Sequence, residues 1–574
     1  MPVSKTPVGW LGLAGFLCVL HSPLIVSAGT WVTNTNAPGL VGVALVLSDA
    51  SILAQRGPGY SNWFRLSPDS QGHYANGSWT ANSGLNMANI RQFFASDVLP
   101  NGKVLVVGGE YGAPGSGQKA ELYDPGANQW TPLNVPAGLV TTNLFAPNGY
   151  NGGFADAPSI VLSDGTVLIA PIYPVITNGT VIYDPNANSW SAGPATRGPL
   201  FITTNGTVFS SLNEVSWVKL PDDSILTIDA SQTTTERYIP SLKIWIKDRN
   251  IPVAMYSSAA EIGAALLLPD GRALFLGGTG NTLYYTPSGN TNQGTWTVGP
   301  VIPGGLVARD APAAMMANGN VLCAFSPTTG DSPIFFYELN PTNNVFTAET
   351  GPTGTASYTN DITDQTAMLA LPDGNILFTA AHNQTVYIYQ PAGSPVAAWK
   401  PAIAQTSYNT DGSLHVAGTQ LNGLSQGAAF GDDNQMDSNY PLLRFTDGGG
   451  IVYYGHTRNW SSTSVQTGNQ LVTTECDLPA NIFNGPGTYS IQAVANGIAS
   501  DPATFYGPVW VDFGFNFPTM TGTYALPYNT LALGISAVTS GGTILIKPGL
   551  SHETMTISKP MTISAVGGTA IIGQ

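Results

Sequence analysis

One phrase recurs about every fifty residues through roughly the first four hundred positions, and few folds accept such a repeat. Its clearest copy runs Ala157-Pro-Ser-Ile-Val-Leu-Ser-Asp-Gly-Thr-Val-Leu-Ile-Ala170 and closes on Thr180-Val-Ile-Tyr-Asp-Pro-Asn-Ala-Asn-Ser-Trp190. An apolar run meets a polar tight turn and a second apolar run leaves it, the pattern of two buried strands in a hairpin. The turn returns at Ser48-Asp49, Pro100-Asn101-Gly102, Ser163-Asp164-Gly165, Pro221-Asp222, Pro269-Asp270-Gly271, Asn318-Gly319 and Pro372-Asp373-Gly374. A third strand follows each, ending at Pro68, Pro125, Pro185, Pro240, Pro287, Pro341 and Pro391. A bulky aromatic then marks a fourth: Trp79, Trp130, Trp190, Trp245, Trp296, Phe346 and Trp399.

Four strands per fifty-residue unit is the spacing of kelch-type propeller blades. A four-stranded blade has two apolar faces, and only a closed ring covers both. Seven turns predict seven blades over residues 29–405. Trp31 is one tryptophan too many. Its strand either pairs into the last blade and shuts the ring, or caps blade one.

Only 9% of residues are charged, against about 25% in an ordinary soluble domain. The net charge of -15 speaks against a nucleic-acid partner, which needs a basic surface. Residues 1–28 read as a secretory signal: Lys5 is the basic end, Trp10 to Val26 is mostly apolar, and Val26-Ser27-Ala28 offers small residues for cleavage before Gly29. No other stretch is apolar enough to span a bilayer, so the expected location is extracellular or at the cell surface. Cys323 and Cys476 fall in different domains and are expected as buried free thiols.

The period stops near Ala402. Residues 406–508 carry short alternating strands that predict an immunoglobulin-like sandwich. Residues 509–574 change again. Tyr528–Val538 has helical spacing behind Asn529 or Thr530, and Gly541–Gly549, Met555–Pro560, Met561–Ala565 and Thr569–Ile572 read as strands of a short parallel β-helix-like module. That module could dock on the sandwich or mediate self-association.

A seven-bladed kelch propeller followed by an immunoglobulin-like domain resembles the galactose oxidase and glyoxal oxidase family of secreted copper-radical enzymes, over residues 30–508. The resemblance implies copper on the propeller axis, held by a Tyr cross-linked to a Cys, a Tyr-His pair from the last blade, and a further His from the second domain. This chain departs from that set. Phe93 stands eight residues before Asn101, where the cross-linked Tyr is expected, and no Cys lies near Val41. Asp364-Gln365 replace Tyr-His, and only His456, in Gly455-His-Thr-Arg-Asn459, resembles the fourth ligand. One imidazole does not hold copper, and without the Tyr-Cys pair there is no radical, so oxidase activity is not expected.

The same positions carry another message. Eight or nine residues before their turns stand Asp156, Glu214, Glu261, Asp310 and Asp364, five acids on five successive blades. Equivalent positions in a propeller ring the axis, so these carboxylates should meet at one mouth of the channel, with Phe93 and Gln365 beside them. Like charges so placed repel unless something neutralises them. The candidates are a hard cation such as calcium, with Asp310, Glu261 and Asp364 as ligands, or a sugar whose hydroxyls donate to carboxylates. The alternative is structural: an acid at the start of a strand can accept main-chain N–H bonds and stitch blades together.

Other residues carry less. His382 and His415 lack a partner at ligand spacing. His73-Tyr74 reads as an exposed connection and Glu236-Arg237 as an ion pair on an outer loop. Tyr60, Trp63 and Tyr111 could stack on sugars, but kelch blades need aromatics for packing, so the core is the expected place for them. Asn76, Asn178, Asn205, Asn383 and Asn459 sit in glycosylation sequons. Three functions remain open at this stage. The first is a secreted, non-redox protein binding an extracellular carbohydrate or similar ligand at the acidic mouth. The second is a hydrolase or lyase acting on polysaccharide through ring carboxylates. The third is an adhesive surface protein assembling through residues 509–574.

Overall fold

A computed structural model describes residues 29–573 except 81–85, 110, 112–115, 141–152, 172–178, 200, 203–207, 259 and 427–438. The signal segment, Asn178 and Asn205 lie outside the described residues. The chain is all-β, and its first part is a seven-bladed propeller. Blade three shows the plan: Ser159–Val161, Val167–Ile169, Gly179–Asp184 and Ser189–Ala195 pair in sequence order, each antiparallel to the last. First strands of neighbouring blades approach one another around the ring, among them Ala95–Val98 with Ser159–Val161 and Ala313–Met315 with Thr366–Ala370. They line the hub, which is why they are buried throughout, while fourth strands alternate between exposed and covered residues.

A packing rule underlies the aromatic marks in the sequence. The third-strand tyrosine lies against the fourth-strand tryptophan in Tyr123–Trp130, Tyr183–Trp190, Tyr238–Trp245 and Tyr285–Trp296, with ring centroids 4.7 to 5.6 Å apart. Such pairs each contribute about 1 kcal/mol beyond the area they bury.

Blade seven follows the rule with a different partner. Its strands Thr366–Ala370, Ile376–Ala380 and Val386–Gln390 are completed by Thr30–Asn34, with Trp31 directly opposite Tyr389. The N-terminal strand therefore shuts the ring, and Trp31 is not surplus. The surplus residue is Trp399, expected on a fourth strand. It lies instead in a 3-10 turn, Ala397–Trp399, against the blade-six turn, where a Cβ on Gly319 would come within 3.0 Å of its ring.

Eight antiparallel strands between Ala402 and Tyr506 form the second domain, around a core that includes Leu414, Phe445, Val472, Cys476, Ile491 and Phe505. Cys323 and Cys476 are both buried and free. In the tail the pairing becomes parallel, with Val509 opposite Ile544, Thr543 opposite Thr562 and Gly549 opposite Ala570. Thr530 caps the helix Leu531–Ala537, its side chain accepting from the Leu533 amide. Met555–Pro560 forms no strand. No helix among the described residues is long and apolar enough to cross a membrane.

The second domain docks on the turn side of the propeller. Thr457 N–H donates to Ser48 O at 3.2 Å, Trp460 N–H to Pro100 O at 3.3 Å, Thr463 Oγ1 to Leu162 O at 2.5 Å and Gln466 Nε2 to Leu268 O at 2.7 Å. At the blade-seven turn Gly497 meets Gly374 so closely that a Cβ on Gly497 would lie 2.7 Å from the Gly374 Cα. One mouth of the hub is covered by these contacts, and the opposite mouth carries the acids.

Candidate functional site at the open mouth of the hub

Each blade enters its first strand through a short segment at the end remote from the turn. Phe93, Asp156, Glu214 and Asp310 all take left-handed backbone there, with φ of 51°, 46°, 52° and 41°. In blade five it is Ala260, immediately before Glu261, that has φ of 75°. Non-glycine residues visit this region at a cost, and its recurrence on five blades identifies one shared geometry. Asp364 differs, lying in a 3-10 turn, Thr363–Gln365.

Main-chain and serine bonds hold these segments side by side. Ser216 Oγ donates to Gly263 O at 2.8 Å, joining blades four and five. Asp310 N–H donates to Ile262 O and Ala264 N–H to Ala311 O, both at 3.3 Å, joining blades five and six. The consequence is a cluster in which Glu214, Glu261 and Asp310 each present an oxygen, all within 4.8 Å of one another. Asp156 and Asp364 stand outside that cluster, so the trio contains Glu214 where the sequence suggested Asp364.

Two neighbours set the electrostatics. Burial opposes the charge on Arg309, but Asp331, which it pairs with, and then Asp310 and Glu261 outweigh that and raise its pKa. Tyr256 is buried beneath, its hydroxyl donating to Ile228 O at 2.8 Å. Burial, then the charges of Asp229, Glu214 and Glu261, push its pKa well up.

Farther round the mouth, Phe93, Asp364 and Gln365 line a cleft with Gln55, Gln92 and Thr366. Gln92 Nε2 donates to Gln365 Oε1 at 3.2 Å, and Gln365 Nε2 donates to Asp364 Oδ2 at 3.2 Å. Burial raises the Asp364 carboxyl, with Asp331 adding to the effect. Arg91 fixes the approach to Phe93. It is fully buried, paired with Glu121 at 3.0 Å, and its carbonyl accepts from Gln55 Nε2 at 2.6 Å. The ring of Phe93 meets Tyr111 edge-on, centroids 5.8 Å apart, and Tyr111 is 51% exposed. Trp63 by contrast is core.

His456 does not join this site. It lies on the turn side, where a Cβ on Gly102 would come 2.7 Å from its Nε2, and its Nδ1 faces Asp477 at 3.4 Å. The strand pairing of the second domain holds it there, with His456 opposite Asp477. His382 and His415 have partners the sequence did not suggest, Asp361 and Glu475, each 2.9 Å away. Glu236 and Arg237 lie side by side on a buried strand and do not pair. Arg237 binds Asp248 and Asp222, while Glu236 accepts from the Arg197 amide. Tyr74 is fully buried, its hydroxyl donating to Ala50 O, and only His73 beside it is exposed.

The donor set at the mouth is oxygen from carboxylates, suited to a hard cation or to hydroxyls. Phe93 stands where the resemblance to copper-radical oxidases would place a tyrosine.

No family model matches the sequence, and no curated protein matches it. Among solved structures the chain is similar to a fungal alcohol oxidase of the AA5 family in complex with copper, with TM-score 0.47, 12% identity, and coverage of 84% of this chain and 99% of that one. It is also similar to a catalytically inactive virginiamycin B lyase from Staphylococcus aureus with quinupristin, with TM-score 0.40, 11% identity, and coverage of 63% and 98%.

Proposed function

We propose that the chain is a secreted, non-redox propeller that binds a hydroxyl-rich extracellular ligand, a glycan foremost, at the open mouth of its hub. Calcium is the hard cation that Glu214, Glu261 and Asp310 would share. The observation that carries this reading is the approach of those three carboxylates to within 4.8 Å. Crowded anions are costly unless a cation or several donors neutralise them. Sugar hydroxyls supply such donors, and exposed Tyr111 beside Phe93 offers an apolar face for a pyranose ring.

Calorimetric titration of the purified chain with calcium, followed by a glycan array with and without the ion, tests the reading. Binding that weakens at least about tenfold in Glu261→Gln and Asp310→Asn supports it, since a tenfold change is about 1.4 kcal/mol. Absence of calcium and glycan binding, or binding that both variants leave unchanged, refutes it.

A further inference from the structure

The seam that shuts the ring contains two acids with no matching cation among the described residues. Glu338 and Glu349, on the third and fourth strands of blade six, are 8% and 7% exposed. The Tyr389 hydroxyl donates to Glu338 Oε1 at 2.6 Å, and Glu349 lies on the strand paired with that of Glu338. Asn320 Nδ2 serves the other Glu338 oxygen at 2.7 Å. Among the described residues no lysine, arginine or histidine pairs with either acid. Burial and then the charge of Glu338 push the Glu349 carboxyl up to about 7. Buried carboxylates normally have a cation or enough donors around them.

What lies against this pair is the start of the closing strand. Gly29 is buried, and a Cβ on it would fall 2.2 Å from Tyr389 Cζ and 2.3 Å from its hydroxyl oxygen. Only glycine fits there. Its nitrogen, about 2.5 Å from that Cβ position, is therefore within about 5 Å of the hydroxyl bound to Glu338. In the uncut chain this nitrogen is a neutral amide. Val26-Ser27-Ala28 places small residues just before it.

We propose that cleavage between Ala28 and Gly29 supplies the missing cation: the new α-ammonium of Gly29 pairs with Glu338 and Glu349 and locks the N-terminal strand into blade seven. In the cleavage, catalysed by a leader peptidase, water adds across the peptide bond. Ala28 leaves with the new carboxylate, and Gly29 keeps the nitrogen, which takes up a proton at neutral pH. Ring closure is thus completed by processing, and Gly29 is required both for space and for its amine.

Mass spectrometry of the secreted chain should give Gly29 as the first residue; a different start overturns the proposal. Thermal melting then compares the chain beginning at Gly29, the same chain retaining Ala28, and the Gly29 chain acetylated selectively on its α-amine. The free amine should melt about 2 to 4 °C above both others, and Glu338→Gln with Glu349→Gln should erase the difference. Equal melting of the three forms, or a difference that persists with both glutamines, overturns it. Should the double variant not fold, Glu349→Gln alone must shrink the difference, and a difference it leaves unchanged also overturns the proposal.

Discussion

The two mouths of the hub are built from opposite ends of the same seven first strands, yet they have become different materials. At the turn end several polar groups have a partner in the second domain. Lys219, 2% exposed on the blade-four first strand, donates to Thr463 O at 2.9 Å, and Ser464 Oγ donates to Asp223 at 3.0 Å. Asp97, 1% exposed, accepts from Ser159 at 2.7 Å between blades two and three. At the other end the blades are joined by main-chain and serine bonds, and carboxylates gather on top of that seam. A repeat offers both ends equally. Covering one end turns its charges into structural cement, while at the other the carboxylates of Glu214, Glu261 and Asp310 crowd together.

Several substitutions would break or sharpen this contrast. The largest effect should come from Lys219→Met, which removes the buried donor to Thr463 and the charge that lowers the Asp97 carboxyl. A loss of about 3 kcal/mol in urea denaturation is expected, with calcium binding unchanged. Stability equal to the parent would show that the covered mouth does not depend on this lysine.

The pH profile separates the same ends. Burial raises Asp97 from 3.8 to about 6, so the folded form binds the extra proton between those values and stability falls as pH rises through that window. Burial lowers Lys219 from 10.5 to about 8, so there the unfolded chain binds the extra proton and stability climbs from about pH 8 to 10.5. The melting temperature should therefore drop by several °C between roughly pH 4 and 6 and recover in alkali. Glu349, raised from 4.5 to about 7, contributes to the same limb, so Asp97→Asn should shrink the fall between pH 4 and 6 without abolishing it, and a profile that it leaves intact would assign that limb elsewhere.

Glu261→Gln at the open mouth should do the reverse of Lys219→Met. Calcium affinity should fall about tenfold, while stability stays within about 0.5 kcal/mol or improves as repulsion is relieved. Smallest of all, Tyr111→Ala should weaken glycan binding about fivefold, the scale of one lost aromatic contact, with calcium binding and melting unaltered. A destabilised Tyr111→Ala protein would return that ring to the core.

Much of the fold could be read from the chain because each repeat carries its own local instructions. Turn residues, apolar runs and the Tyr–Trp pairing specify a blade, and burying both faces of seven blades demands a ring. The acids were found from register alone, since equal spacing from equivalent turns puts side chains at equal height. Which three would meet was not readable. Ser216, Ile262 and Ala311 decide that through bonds between blades, and none of them is marked in the sequence. His456 misled because a short likeness says nothing of the face on which a strand sits.

The amino-acid order by itself determined the seven-blade count, the position of the acids within each blade, and a tryptophan in excess. Only the tertiary structure decided that Trp31 and not Trp399 completes blade seven, and that Glu214 rather than Asp364 joins Glu261 and Asp310. The reason is the same in both cases. Local pattern fixes what a segment is, but its neighbours are chosen by long-range packing and hydrogen bonding between segments hundreds of residues apart, and those leave no periodic trace in the chain.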